Sequence, residues 1–424
     1  MKYLVLFCAG MAATIAGAAP NVVLISVDTL RADRLGAYGY ALPTSPVLDA
    51  YAKTALVFED ATCEVPLTQP SMGAMLSSRF PCSTGTTRNG LRMPGDVPLV
   101  QEQFQGSGYH TFAVLSNWTL KEKLSGLARG FDVYDDAFEK KRWGFMKAER
   151  DGDDVTRLAL EYLEARPADK PFFAWIHYSD PHAPYKMHRN FRPAGKRAWH
   201  LGHKKKVRVK YDSEVAFTDH EIGKVLAALP DDTVVVVVSD HGESLYEHNY
   251  LGHGRYIYQN NMHIVLMVRA PGAAPGRSNA PVRGIDVGPT LLGLAGLSVP
   301  AGMLGLDLLR DDVAAERARV FETYGGAVPN LPGLKDAMAE AGPMWQGVIQ
   351  EGWKLIVDGD KDELYYLPED PGELDDRSAA EPARVEAMRE IIKRWEEVTP
   401  RGEQGEEDLD ADDLKALEAL GYLE

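Results

Sequence analysis

The chain has 424 residues, a quarter of them charged, and a formal net charge of −16. That length exceeds one ordinary domain and suits a large α/β core with an appendage. The negative balance argues against a general affinity for nucleic acid.

Met1–Ala19 opens with Lys2, runs apolar from Tyr3 to Ala16 and ends on Ala16-Gly17-Ala18. This pattern predicts a secretory signal peptide over 1–19. No stretch reaches the ~18–20 apolar residues of a membrane span, so the mature protein is expected to be exported, periplasmic or extracellular, without a span. Cys8 lies inside the signal and lacks the small residues that precede a lipidated cysteine. Cys63 and Cys82 can be read in two ways: a bridge worth roughly 3 kcal/mol, or two buried thiols.

Continuous runs rich in β-branched residues recur at Asn21–Asp28, His110–Ser116, Pro171–Asp180, Thr233–Asp240 and His263–Ala270. Such runs suit strands covered on both faces. Helical spacing occupies Ser45–Thr54, Leu99–Gly106, Asp153–Arg166 and Asp212–Leu229. The alternation predicts an α/β fold with a large, mainly parallel sheet flanked by helices. After about residue 310, short strands are expected at Val320–Tyr324, Gln346–Gln350, Lys354–Asp358 and Glu363–Leu367, then a helix near Pro382–Glu397. The expected organisation is therefore a catalytic domain over 20–310, a small C-terminal α+β subdomain over 311–400, and an acidic tail over 401–424 with a short helix. Against the overall charge, residues 186–210 are dense in Lys, Arg and His. They read as a solvated surface loop or as an electropositive rim that draws in an anion.

Ligands of a parallel sheet collect beyond the carboxyl ends of its strands, and three predicted strands end on Asp28, Asp180 and Asp240. Asp240 is followed at once by His241, and His182, His248 and His253 lie in nearby loops. Carboxylates beside imidazoles make a divalent-metal site. Asp28, Asp240 and His241 favour Ca, Mg or Mn, and a histidine-rich position would favour Zn. In "VPLTQPSMGAMLSSRFP", Pro70 predicts a helix start. Thr68 then stands at a helix N-terminus, where a hydroxyl can be an N-cap or can face a bound anion. A metal touching that hydroxyl would lower its pKa and make it a nucleophile.

These stretches, "NVVLISVDTLRADRLGAYGY", "TQPSMGAMLSSRFP", "WIHYSDPHAPY", "YDSEVAFTDHEIGKVL", "SDHGESLYEHNYLGHG" and "ELYYLPEDPGE", resemble in that order the motifs of the sulfatase family within the alkaline phosphatase superfamily. The resemblance runs from about Asn21 to Asp375. It implies one metal on Asp28, Asp240 and His241, with Thr68 on the metal as nucleophile and His182 and His253 facing the anion or leaving group. It also implies that Asn89 lies near the transferred group, with Asp180 a weaker member of the same shell. The chain departs from the family where Cys or Ser, then Pro and Arg, are usual, since it carries Thr68, Pro70 and Met72. Threonine cannot be oxidised to the formylglycine aldehyde. The Lys-Trp-His that commonly holds sulfate is replaced around "LSNWTL", and the usual lysine after the Asp-His motif becomes His253.

The expected function is hydrolysis of phosphate or sulfate esters through Thr68, with phosphorus preferred. The anionic substrate would be a glycan, a lipid head group or a small molecule. Two alternatives are transfer of the Thr-bound group to a sugar or lipid hydroxyl, and an inactive protein that binds anionic glycans. Leaving-group specificity is expected in loops 118–150 and 186–210.

Overall fold

The computed structural model describes residues 19–137, 141–142, 145–146, 149–192, 202–325, 343–359 and 361–404, and positions 410, 413 and 415. Residues 1–18 of the expected signal peptide, 193–201 of the basic segment and nearly all of the expected tail helix lie outside them.

The central sheet contains β1 (Val22–Val27), β2 (Leu56–Phe58), β3 (His110–Val114), β4 (Val133–Asp135), β5 (Phe172–Tyr178), β6 (Val234–Ser239), β7 (Leu266–Arg269) and β8 (Gly276–Ser278). Its order is β8-β2-β7-β6-β1-β5-β3-β4. The strands from β6 to β4 are all parallel, and β7 runs antiparallel to both of its neighbours. The expected mainly parallel sheet is therefore observed. Strands β2, β4 and β8, three residues each, were not anticipated, because so short a segment carries no periodicity.

Alternate residues of β1 enter opposite layers, as the period of two requires. Val22 and Leu24 pack with α2 (Thr68–Ser77), α3 (Val100–Gly106) and α6 (Val287–Leu294) through Met72, Phe104 and Leu291. Val23, Ile25 and Val27 pack with α1 (Pro46–Ala52), α4 (Gly152–Ala165) and α5 (His203–Ala228) through Leu48, Val155 and Tyr211. Every residue of α2 is buried, which removes any polar face.

Helix α5 begins nine residues before the expected Asp212, so His203–Lys210 of the basic segment is helix and not loop. The reason is local. Lys204, Lys205 and Lys206 stay exposed while Val207, Tyr211 and Val215 recur every fourth position toward the core, and lysine and arginine are good helix formers.

The small antiparallel sheet has the order β9 (Arg319–Thr323), β10 (Trp345–Gln350), β11 (Trp353–Asp358) and β12 (Lys361–Tyr366). Helix α7 (Pro382–Val398) covers it through Val385, Met388, Ile392 and Trp395. The same apolar cluster includes Ala74 of α2 and Phe80, so this sheet braces the helix that carries Thr68.

Lys354 on β11 is fully buried, with Nζ 2.6 Å from Glu373 Oε1 and donating to Gln259 Oε1 at 3.2 Å. Lys354→Met leaves Glu373 a buried charge without its partner and is expected to destabilise the protein by about 3 to 5 kcal/mol. Urea unfolding checks this, and an unchanged midpoint would show that Glu373 sheds its charge at no loss.

Candidate active site

Strands β1 and β6 are paired in register with Val27 opposite Ser239, so the residues that follow, Asp28 and Asp240, leave the sheet side by side. Asp240 Oδ1 accepts from the backbone N–H of Thr29 (3.1 Å) and of His241 (2.7 Å). Its Oδ2 is buried without a hydrogen-bond partner among the described residues, 3.6 Å from His241 Nε2. His241 Nδ1 lies 2.8 Å from the Gly242 carbonyl and must be the protonated nitrogen of a neutral ring. Nε2 therefore turns a lone pair toward the carboxylates, 3.8 Å from Asp28 Oδ1. Burial, with His253 close by, pulls the His241 imidazolium down to about 3, which keeps it neutral.

Asp28, Asp240 and His241 are fully buried and bring one donor atom each within 4.8 Å of the others. Two carboxylates facing each other in a dry space repel, and burial followed by Asp28 pushes the Asp240 carboxyl well above the usual range. An orphaned carboxylate oxygen and an outward lone pair fit a divalent cation. The oxygen-rich set with one nitrogen suits Ca, Mg or Mn, and Zn is compatible.

Thr68 is the first residue inside α2, and Leu67 occupies the cap position. The Thr68 hydroxyl lies 3.4 Å from both Asp28 Oδ1 and His241 Nε2. The expected alternative of a simple N-cap therefore gives way to a hydroxyl at the rim of the carboxylate cluster. Ser71 Oγ donates to the Asp240 carbonyl at 2.7 Å, which ties α2 to the end of β6. Asn89 Oδ1 accepts from the Gln69 N–H at 3.1 Å, and its buried Nδ2 has no partner among the described residues. A free amide donor thus stands beside the helix N-terminus next to Thr68.

Three imidazoles complete the site. The His253 ring centroid is 4.6 Å from that of His241 and 5.0 Å from that of His182. His182 Nδ1 is 2.7 Å from Glu149 Oε1, and His253 Nδ1 is 3.2 Å from Glu243 Oε1. Burial pulls both rings down. For His182 the Glu149 and Asp28 carboxylates outweigh burial and raise it to about 10, whereas His253, facing the His182 charge, falls to about 3. Environments that drive two neighbouring groups apart are a mark of acid and base roles.

Other expected residues do not join. Asp180 accepts from the Gly152 N–H at 3.1 Å and lies with His188 and Glu214 instead. His248 stacks on Tyr258 with ring centroids 3.6 Å apart. Cys63 and Cys82 are free buried thiols in different apolar clusters, so the bridge is absent. Several site residues were not anticipated. Asn117 Nδ2 donates to Asp28 Oδ2 at 2.5 Å and Ser179 Oγ to the same oxygen at 3.3 Å, while Glu149 and Glu243 hold the imidazoles. Asn117 lies within "LSNWTL", a place already marked as a departure, and Ser179 and Glu243 lie within quoted motifs without having been singled out, whereas Glu149 left no trace. Asp413, in the acidic stretch, accepts from Trp118 Nε1 (3.1 Å) and pairs with Lys123 (2.7 Å).

The described residues contain no helix long and apolar enough to cross a membrane. Residues 20–297 match the family model described as Sulfatase, and residues 246–399 match N-sulphoglucosamine sulphohydrolase, C-terminal. The chain is 28% identical over 363 residues to an ulvan-active sulfatase of Formosa agariphila, covering 74% of this chain and 70% of that protein. It is 23% identical to a choline-sulfatase of Rhizobium meliloti, covering 88% and 86%. Among solved structures, a phosphonate monoester hydrolase of Agrobacterium radiobacter superposes with a TM-score of 0.74 at 18% identity, covering 90% of this chain and 96% of that one. With its mainly parallel sheet, its small antiparallel sheet and a family match over most of its length, the chain belongs to the sulfatase family of hydrolases.

Proposed function

We propose that this protein is an exported, metal-dependent hydrolase of anionic esters in which Thr68 is the nucleophile, with phosphorus esters preferred over sulfate esters. The observation that carries this reading is the Thr68 hydroxyl, 3.4 Å from Asp28 Oδ1 and His241 Nε2 at the N-terminus of a buried helix. The catalytic domain is taken as 20–310 and the subdomain as 311–400.

Asp28, Asp240 and His241, with Thr68, would hold a divalent cation, which supplies Lewis acidity to the hydroxyl and to the non-bridging oxygens of the ester. Thr68 Oγ1 attacks phosphorus as its proton passes to Asp28 Oδ1, 3.4 Å away. Asn89 Nδ2 and the α2 N-terminus face the charge that develops on the non-bridging oxygens. Charged His182, held by Glu149, gives its proton to the leaving oxygen as that bond breaks. Water then attacks the phosphothreonine and gives its proton to His253, neutral because buried beside His182, while the P–Oγ1 bond breaks and Oγ1 regains its proton from Asp28. A sulfated threonine lacks the aldehyde route that expels sulfate from formylglycine, whereas attack of water on a phosphothreonine needs no such route. The similarity to a phosphonate monoester hydrolase and to several sulfatases spans both ester classes.

The test is a matched panel of aryl sulfate, phosphate monoester, phosphodiester and phosphonate ester, each with Ca, Mg, Mn or Zn. Turnover of a phosphorus ester above the sulfate supports the proposal, and preference for aryl sulfate overturns the choice of phosphorus.

The Glu149–His182 pair makes a second prediction. Because Glu149 holds the His182 proton up to about 10, kcat for an ester with a poor leaving group should fall only as pH rises through that value. The same raised pKa stabilises the fold below the ordinary imidazole range, and this contribution is lost as pH rises through about 10. Glu149→Gln removes the largest raising influence and leaves burial in control, so the falling limb should move to lower pH. A pH-rate profile that does not move would remove His182 from the acid role.

A further inference from the structure

Away from the strand-end cluster, Asp180, His188 and Glu214 come from three different places, the end of β5, the following loop and the middle of α5. Each offers one ligand atom within 4.8 Å of the others. Asp180 and Glu214 are 7% and 1% exposed. Their partners are only partly supplied. Asp180 Oδ1 takes the Gly152 N–H, yet Oδ2 is buried with no hydrogen-bond partner among the described residues. Glu214 Oε2 is 2.6 Å from His188 Nε2, and its other oxygen accepts from the Lys186 N–H. Lys186 Nζ is paired directly with Asp151 at 2.7 Å and eases the Asp180 and Glu214 charges only through space.

We propose that Asp180, His188 and Glu214 form a second divalent-cation site, separate from the catalytic one, which pins the loop bearing His182 to α5. Asp180 and Glu214 are buried carboxylates that repel each other, and the His188 proton and the Lys186 ammonium offset that repulsion only in part. A dication removes that repulsion and satisfies Asp180 Oδ2. On binding, the proton shared by His188 Nε2 and Glu214 is released to solvent and the imidazole nitrogen becomes a ligand. Burial, then the Glu214 charge, drives the Asp180 carboxyl well above its usual range. Gly152 leaves room for the Asp180 carboxyl, because a Cβ there would sit 2.4 Å from Asp180 Oδ2. Two oxygens and one imidazole nitrogen suit Zn or Mn better than Ca.

The experiment titrates Zn(II) into the chelator-stripped, full-length protein against a chromophoric competitor and counts equivalents. Wild type should bind two, Asp240→Asn one and His188→Ala one, with Glu214→Gln behaving as His188→Ala. Circular dichroism of each variant identifies any that fails to fold, and Asp180→Asn, nearly isosteric, then replaces it. Variants His188→Ala, Glu214→Gln and Asp180→Asn that bind as many equivalents as wild type overturn the second site. One equivalent lost in those variants but kept in Asp240→Asn supports it while sinking the metal assignment at Asp240, so the two readings fail separately.

Discussion

Thr68→Ala is expected to lower kcat by roughly four orders of magnitude or more, the loss usual for removing a nucleophile, while leaving the fold and cation binding in place. Only the hydroxyl lies at the rim of the carboxylate cluster, and Asp240 and His241 are positioned by backbone groups and Asp28 by Asn117 and Ser179. Thr68→Ser keeps the hydroxyl and should retain most of the activity. Acid quenching during turnover of a slow phosphorus ester should leave a phosphoryl group on the peptide containing Thr68, and none in the alanine variant. Equal turnover by parent and alanine variant would make Thr68 a helix residue and no more.

The second large effect is expected at Asp240. Asp240→Asn removes one of two carboxylates of the proposed cation site and should lower kcat by about 100- to 1000-fold, equivalent to several kcal/mol of lost charge stabilisation. Stability should move the other way. Without a cation, burial and then Asp28 raise the Asp240 carboxyl well above its unfolded value. A raised carboxyl leaves the folded state most stable below the unfolded pKa, and stability falls as pH rises toward the folded one. Asparagine keeps an acceptor for the Thr29 and His241 N–H groups yet carries no charge. In chelator at neutral pH, Asp240→Asn should therefore melt above wild type while hydrolysing far more slowly. A lower melting temperature under chelation would mean that the two carboxylates do not repel in the folded protein.

The path from residues to site was uneven. Asp28, Asp240 and His241 could be placed because each ends a fully buried apolar run, and a parallel sheet delivers all such ends to one edge. Thr68 was found but left between two roles, since a cap and a nucleophile make the same local pattern. The structure narrows that choice by seating it inside the helix, against Asp28 and His241. His182 and His253 were legible as histidines after strand ends, but their opposite protonation was not, because it depends on Glu149 and on the approach of the two rings. Asp180 looked equivalent to Asp28 in sequence, and it turned to Gly152 at the start of α4. His203–Lys210 was read as loop because its charge hid Val207 and Tyr211, which set the helical repeat.

By itself the sequence determined what is local and periodic. It set the long buried strands and most of the long helices, which acids follow those strands, the start of α2 near Pro70, and, through Thr68 and Met72, where the chain departs from its family. Tertiary structure alone decided which of those groups meet. Register between β1 and β6 places Asp28 beside Asp240, and the loop from β5 carries His182 against Glu149. The free thiols Cys63 and Cys82 fall into separate clusters. Charge state, metal fit and pairing depend on distances between residues far apart in the chain, and those distances are set only when the sheet assembles and excludes water.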